Sequence, residues 1–106
     1  MLLRVKDTPL LWDMDENEMK TKIKRELCGR LGDVECEVEC EVGVIDIMTR
    51  NEIILIENDW VRGVGRLLLN GLEYPHHKRT IYLYDQVPDI LISKKCESYF
   101  IDVYFW

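Results

Sequence analysis

Long apolar runs are missing from this sequence. None approaches the roughly 20 residues that a membrane-spanning helix needs, so no membrane association is expected. The opening Met1-Leu2-Leu3-Arg4-Val5-Lys6-Asp7 is too short and too charged for a secretory leader, and an intracellular protein is expected. Proline and glycine are scarce, at 3 and 6 of 106 residues, and no Pro/Gly/Ser-rich linker, repeat or low-complexity tract divides the chain. Basic residues are in deficit: 14 Lys and Arg against 20 Asp and Glu leave a formal charge of -6. That balance disfavours broad nucleic-acid binding, which depends on neutralising phosphates. A local basic patch from Arg62, Arg66, Lys78 and Arg79 remains open. The four cysteines, Cys28, Cys36, Cys40 and Cys96, lack the paired short spacings of a zinc site. With His76-His77 they complete a ligand set only by accident of folding, so buried free thiols are expected.

What is present fits one globular domain over 1–106, with 47% hydrophobic and 32% charged residues. Residues 1–14 read as an irregular arm and 15–105 as the core. Asp15 and Glu18 have capping-box spacing, so a helix is expected from Asp15. Met19, Ile23, Leu27 and Leu31 then form one apolar stripe, ended by Gly32. Residues 34–42 alternate strictly, with Val34, Cys36, Val38, Cys40 and Val42 on one face and Glu35, Glu37, Glu39 and Glu41 on the other. On that pattern Cys36 and Cys40 share a face. The glutamate face reads as a solvated surface or as an acidic recognition surface for a basic partner.

Two more strands follow, at 44–49 and 52–57, separated by Arg50-Asn51. A second helix starts at Asn58 or Asp59 and runs through Trp60, Val64 and Leu67 toward 71–74. A fourth strand covers 80–84, a short helix opened by Pro88 covers 89–96, and a fifth strand covers 100–105. The order αβββαβαβ predicts an α/β fold with a central mixed sheet flanked by helices.

The segments Gly43-Val44-Ile45-Asp46-Ile47-Met48-Thr49, Glu52-Ile53-Ile54 and Gly65-Arg66-Leu67-Leu68-Leu69-Asn70-Gly71, with Tyr74-Pro75 and Thr80-Ile81-Tyr82-Leu83-Tyr84, resemble the PD-(D/E)xK nuclease superfamily. The resemblance covers roughly residues 15 to 105. It implies a restriction-endonuclease-like core in which an Asp and a Glu on adjacent strands hold a divalent metal. A Lys two positions after that Glu, on the same strand face, assists the attack of metal-activated water. A Glu on the first helix and a Gln on the second often complete the site.

Carried over, the Asp position falls on Asp46 and the first-helix Glu on Glu18. The strand Glu falls on Leu55, the Lys on Glu57, and the Gln on Arg66. The E-x-K triplet is thus Leu55-Ile56-Glu57, and sliding the register by two residues does not restore it. Two readings stay open. In the first, Asp46, Arg66 and Glu57 form a salt-bridged cluster in a catalytically inactive domain that acts by binding. Its partner is a protein or a second copy more readily than nucleic acid, and no cofactor is needed. In the second, Asp46 and Glu57, with Glu18, hold Mg2+ or Mn2+ in a rearranged nuclease site, and Arg66 does the work of the Lys. A third role, structural oligomerisation, would use the C-terminal strand with its aromatic end Tyr104-Phe105-Trp106, or the apolar second helix. Small stand-alone domains of this type suggest a viral or phage source.

Overall fold

The computed structural model describes residues 7–41 and 43–106, with side chains from residue 18 onward. Among them the chain runs α1 (Asp7–Leu31), β1 (Glu35–Cys40), β2 (Gly43–Met48), β3 (Glu52–Glu57), α2 (Trp60–Asn70), β4 (Lys78–Leu83), α3 (Ile90–Glu97) and β5 (Ile101–Phe105). The αβββαβαβ order is the expected one. The strands form one mixed sheet in the order β1-β2-β3-β4-β5. The pairs β1–β2 and β2–β3 are antiparallel, and β3–β4 and β4–β5 are parallel. Each parallel step is bridged by a helix, as a crossover requires.

The first helix begins at Asp7, not Asp15. Pro9 lies in the first turn, where its missing N–H costs no helical bond. The Asp15/Glu18 signature is therefore internal to α1. Residues 1–6 of the expected arm lie outside the described residues. At the other end Gly32, at φ 85, donates its N–H to the Cys28 carbonyl at 3.0 Å and closes the helix. The expected stripe is buried at Ile23 and Leu27, partly buried at Met19, and emerges at Leu31.

The sheet is buried on both faces. On one, α1 covers Ile47, Ile54 and Ile56 with Ile23 and Leu27. On the other, α2 and α3 cover Ile45, Ile53, Leu55, Ile81 and Leu83 with Val64, Leu67, Ile92 and Cys96. This explains why β3 reads as an unbroken apolar run. Asp59 caps α2 by accepting from the N–H groups of Val61 and Arg62, at 3.0 and 3.3 Å. Asp89 caps α3 through the Leu91 N–H at 2.8 Å, so Pro88 precedes the cap and does not open the helix.

Close approach of α2 to the sheet depends on Gly63. A Cβ there would lie 2.0 Å from Ile81 Cδ1 and 3.4 Å from Glu57 Cγ. Ile81 is fully buried and has little room to yield. We predict that Gly63→Ala lowers stability by about 1–2 kcal/mol in urea titrations, with overpacking outweighing the gain in helix propensity.

Two strands break their alternation. Cys36 faces α1, yet Val38 and Cys40 pack on the α2 side. The reversal falls at Glu37, whose φ is 54. Cys36 and Cys40 therefore lie on opposite faces, contrary to the reading from strict alternation. In β2, Ile45 belongs to the α2-side core and Ile47 to the α1-side core, although only Asp46 separates them. The pairing with β3 is confined to Ile47–Ile54 and Met48–Ile53. Beyond that point β2 and β3 separate, and the candidate site sits in the gap.

Candidate functional site

Where two strands part, their facing N–H and C=O groups lose their ladder partners. When buried, such groups need substitutes. Asp46 supplies one: its Oδ2 accepts the Ile56 N–H at 2.8 Å. Arg66, reaching down from α2, supplies the other, donating from Nη2 to the Val44 carbonyl at 2.6 Å. Asp46 is only 2% exposed and Glu57 only 5%. Each buried carboxylate has its own cation. Lys20 of α1 lies 3.1 Å from Asp46 Oδ1. Arg66 Nη1 bonds Glu57 Oε2, and Arg62 Nε donates to Glu57 Oε1 at 3.0 Å. Arg62 also reaches Asn58 at 2.9 Å.

This arrangement corrects the expected Asp46–Arg66–Glu57 cluster. The Arg66–Glu57 half is present. Asp46, however, turns toward α1 and Lys20, while Glu57 turns toward α2. The two carboxylates were expected on one side because an unbroken β2 alternates regularly. The distortion at Asp46 removes that premise. Lys20 and Arg62 join Arg66 as cations of the site.

Leu55, where the resemblance would put a metal-binding Glu, is fully buried in the core with Val64 and Leu67. Glu18 is exposed and sits two residues before Lys20 on α1, so the two side chains leave different sides of the helix. Glu18 is not brought to Asp46 by the fold.

These residues do not fit a divalent ion. Both oxygens of each carboxylate face donors, and the surrounding charges are cationic. Among the described residues, no group of three or more His, Cys, Asp or Glu side chains is placed to hold a metal. His77 stacks edge-to-face on Tyr74 at 5.3 Å, and His76 is exposed beside it.

The four residues that left a basic patch open are split. Glu57 pairs with Leu83 in the β3–β4 register, and Lys78 pairs with Glu52 at the other end. Five residue steps separate these ends, about 16 Å. Arg62 and Arg66 serve Glu57 at one end. At the other, Lys78 pairs with Asp102 at 3.1 Å, and Arg79 packs under Gly71.

Lys20 is the residue that the sequence reading missed. A signal was available: Lys20 and Lys24 stand one turn apart beside the stripe Met19-Ile23-Leu27. Both find carboxylates on the sheet, Asp46 and Glu37.

The fold and site together define a mixed α/β domain with an αβββαβαβ core and a charge-compensated gap between its second and third strands. Among known proteins, the chain is similar to the "Putative KilA-N domain-containing protein L33" of Acanthamoeba polyphaga mimivirus, with 34% identity over 87 residues. The match takes in 78% of this chain and 35% of the viral protein, so the chain spans about a third of that relative's length. The sequence matches no family model, and no solved structure matches the chain. No described helix is long and apolar enough to cross a membrane.

Proposed function

We propose that this chain is a degenerate, virus-related member of the PD-(D/E)xK superfamily that acts by binding, inside the cell, to a protein partner. One observation carries the reading: Asp46 and Glu57, which stand where the family has its metal-binding Asp and its Lys, are both engaged. Glu57 is held by Arg62 and Arg66, and Asp46 by Lys20 and the Ile56 N–H. A guanidinium in such a site satisfies buried carboxylates and repels a divalent cation. The acidic balance favours a protein over nucleic acid. So do apolar side chains left in solvent around α3: Val87, Ile90, Leu91 and Phe100 are 64–86% exposed.

A second reading has one observation in its favour. Lys20 stands against Asp46 at 3.1 Å, so a lysine is present beside the family's Asp, donated by a helix. A rearranged nuclease would use it. Incubation with Mn2+ or Mg2+ and single-stranded DNA, double-stranded DNA or RNA separates the two. The binding reading expects no cleavage and no metal-dependent rise in melting temperature. Cleavage that Asp46→Ala abolishes overturns it.

The α3 surface has its own test. Leu91→Ser with Phe100→Ser is expected to leave stability within about 0.5 kcal/mol, because neither side chain supports the core. A larger loss, read by chemical denaturation, would mean that these residues are structural and not reserved for a partner.

A further inference from the structure

We propose that Cys28 and Cys36 are a redox pair that closes to an intramolecular disulfide on meeting a peroxide or a small-molecule disulfide. Their sulfurs lie 3.2 Å apart, and both thiols are free. A disulfide requires about 2.0 Å, so closure needs an approach of roughly 1 Å between two side chains at the protein surface. The fold holds them face to face. Cys28 occupies the last turn of α1, and Cys36 lies on the edge strand β1. The left-handed backbone at Glu37 reverses the strand's alternation just beyond Cys36. The Lys24–Glu37 ion pair ties the same two elements together, one helical turn before Cys28 and one residue after Cys36.

Accessibility sets the order of events. Cys36 is exposed, whereas Cys28 is half-buried. Burial, and then the neighbouring Cys36, push the Cys28 thiol up. Cys36 therefore meets the oxidant first. With hydrogen peroxide, its thiolate attacks one oxygen, the O–O bond breaks, and hydroxide leaves to take up a proton. The resulting sulfenic acid is attacked at sulfur by Cys28, which gives up its proton. The S–O bond breaks and water leaves. Two thiols and one peroxide become one disulfide and two waters, with two electrons passing from sulfur to oxygen. With glutathione disulfide, Cys36 displaces one glutathione and Cys28 the second.

The remaining cysteines compete poorly. The Cys40 thiol is pushed up to about 11 by burial and then by the Glu73 carboxylate. Cys96 is fully buried, and burial pushes its thiol up as well.

The test uses the unmodified chain treated with glutathione disulfide. A glutamate-specific protease separates Cys36 from Cys40 by cutting after Glu37 and Glu39, so peptide mass mapping assigns the linkage without substitution. We expect loss of the mass of two hydrogens, a Cys28–Cys36 cross-linked peptide, and a melting temperature raised by about 5–10 °C. Cys28→Ser should instead stop at a mixed disulfide between glutathione and Cys36. Glutathione retained on Cys36 in the unmodified chain, or a linkage through Cys40 or Cys96, would overturn the proposal.

Discussion

Replacing Arg66 with methionine is expected to lower the stability of the domain by about 3 kcal/mol, the largest loss of any single substitution considered. The side chain has two tasks, one of them at a carboxylate that water scarcely reaches. It pairs with Glu57, which is 5% exposed, and it donates to the Val44 carbonyl where β2 leaves β3. Removing one partner of a buried pair typically costs about 3–5 kcal/mol. Arg62 remains beside Glu57 and reduces that figure. The orphaned Val44 carbonyl adds about 1 kcal/mol or more.

The double variant Glu57→Leu with Arg66→Met discriminates the mechanism. With no buried carboxylate left to compensate, it should recover at least about 1.5 kcal/mol relative to the sum of the two single losses. Arg62 is 58% exposed at its side chain and can turn to water. Additive losses in urea unfolding would show that Arg66 and Glu57 are not coupled. Arg66→Lys should fall between, since lysine keeps the charge but cannot reach Glu57 and Val44 in one fork.

The expectation that Asp46, Glu57 and Arg66 form a single cluster failed for a reason that also limits sequence reading more generally. The element order was legible because each helix and strand carries its own local pattern. The span of β3, Glu52–Glu57, was read correctly from its apolar run and the flanking turn. The start of α2 was legible to within one residue, Asn58 or Asp59, because both precede an apolar periodic segment, and Asp59 is the cap. Period-two alternation, however, assumes that a strand stays in register with its neighbour. At Glu37 and at Asp46 it does not keep a single face, and every side-chain direction beyond those points inverts.

Nothing in the nine alternating residues from 34 to 42 distinguishes Glu37 from Glu35 or Glu39. Its left-handed backbone coincides with an ion pair to Lys24 of α1, a tertiary contact outside any local window. Lys20 was missed for the complementary reason. A lysine beside an apolar stripe normally lies along the surface with its charge in water. Only the kink in β2 brings a carboxylate within its reach. The early start of α1 was hidden because Asp15 and Glu18 imitate a helix start. Their spacing satisfies the motif whether or not helix precedes it.

Asp46→Ala is expected to cost about 2–3 kcal/mol, and the comparison with Asp46→Asn says why. Alanine removes the acceptor of the Ile56 N–H, which is buried in the gap and has no ladder partner from β2. An unsatisfied buried donor costs about 1–3 kcal/mol. The lost ion pair adds little, because Lys20 is 29% exposed at its side chain and can return to solvent. Asparagine keeps a carbonyl oxygen for Ile56 and loses only the charge, so about 1 kcal/mol is expected. Native-state hydrogen exchange reads the same distinction at one atom. The Ile56 amide should exchange about 5–30-fold faster in Asp46→Ala than in Asp46→Asn, following the difference of about 1–2 kcal/mol. Equal exchange in the two variants would remove the backbone-substitute role. Titration of the unmodified chain with Mn2+ supplies the opposing test. A carboxylate committed to Ile56 and Lys20 leaves the Ile56 amide resonance sharp, whereas a paramagnetic ion bound at Asp46 broadens it beyond detection. That broadening would return Asp46 to the role of a metal ligand.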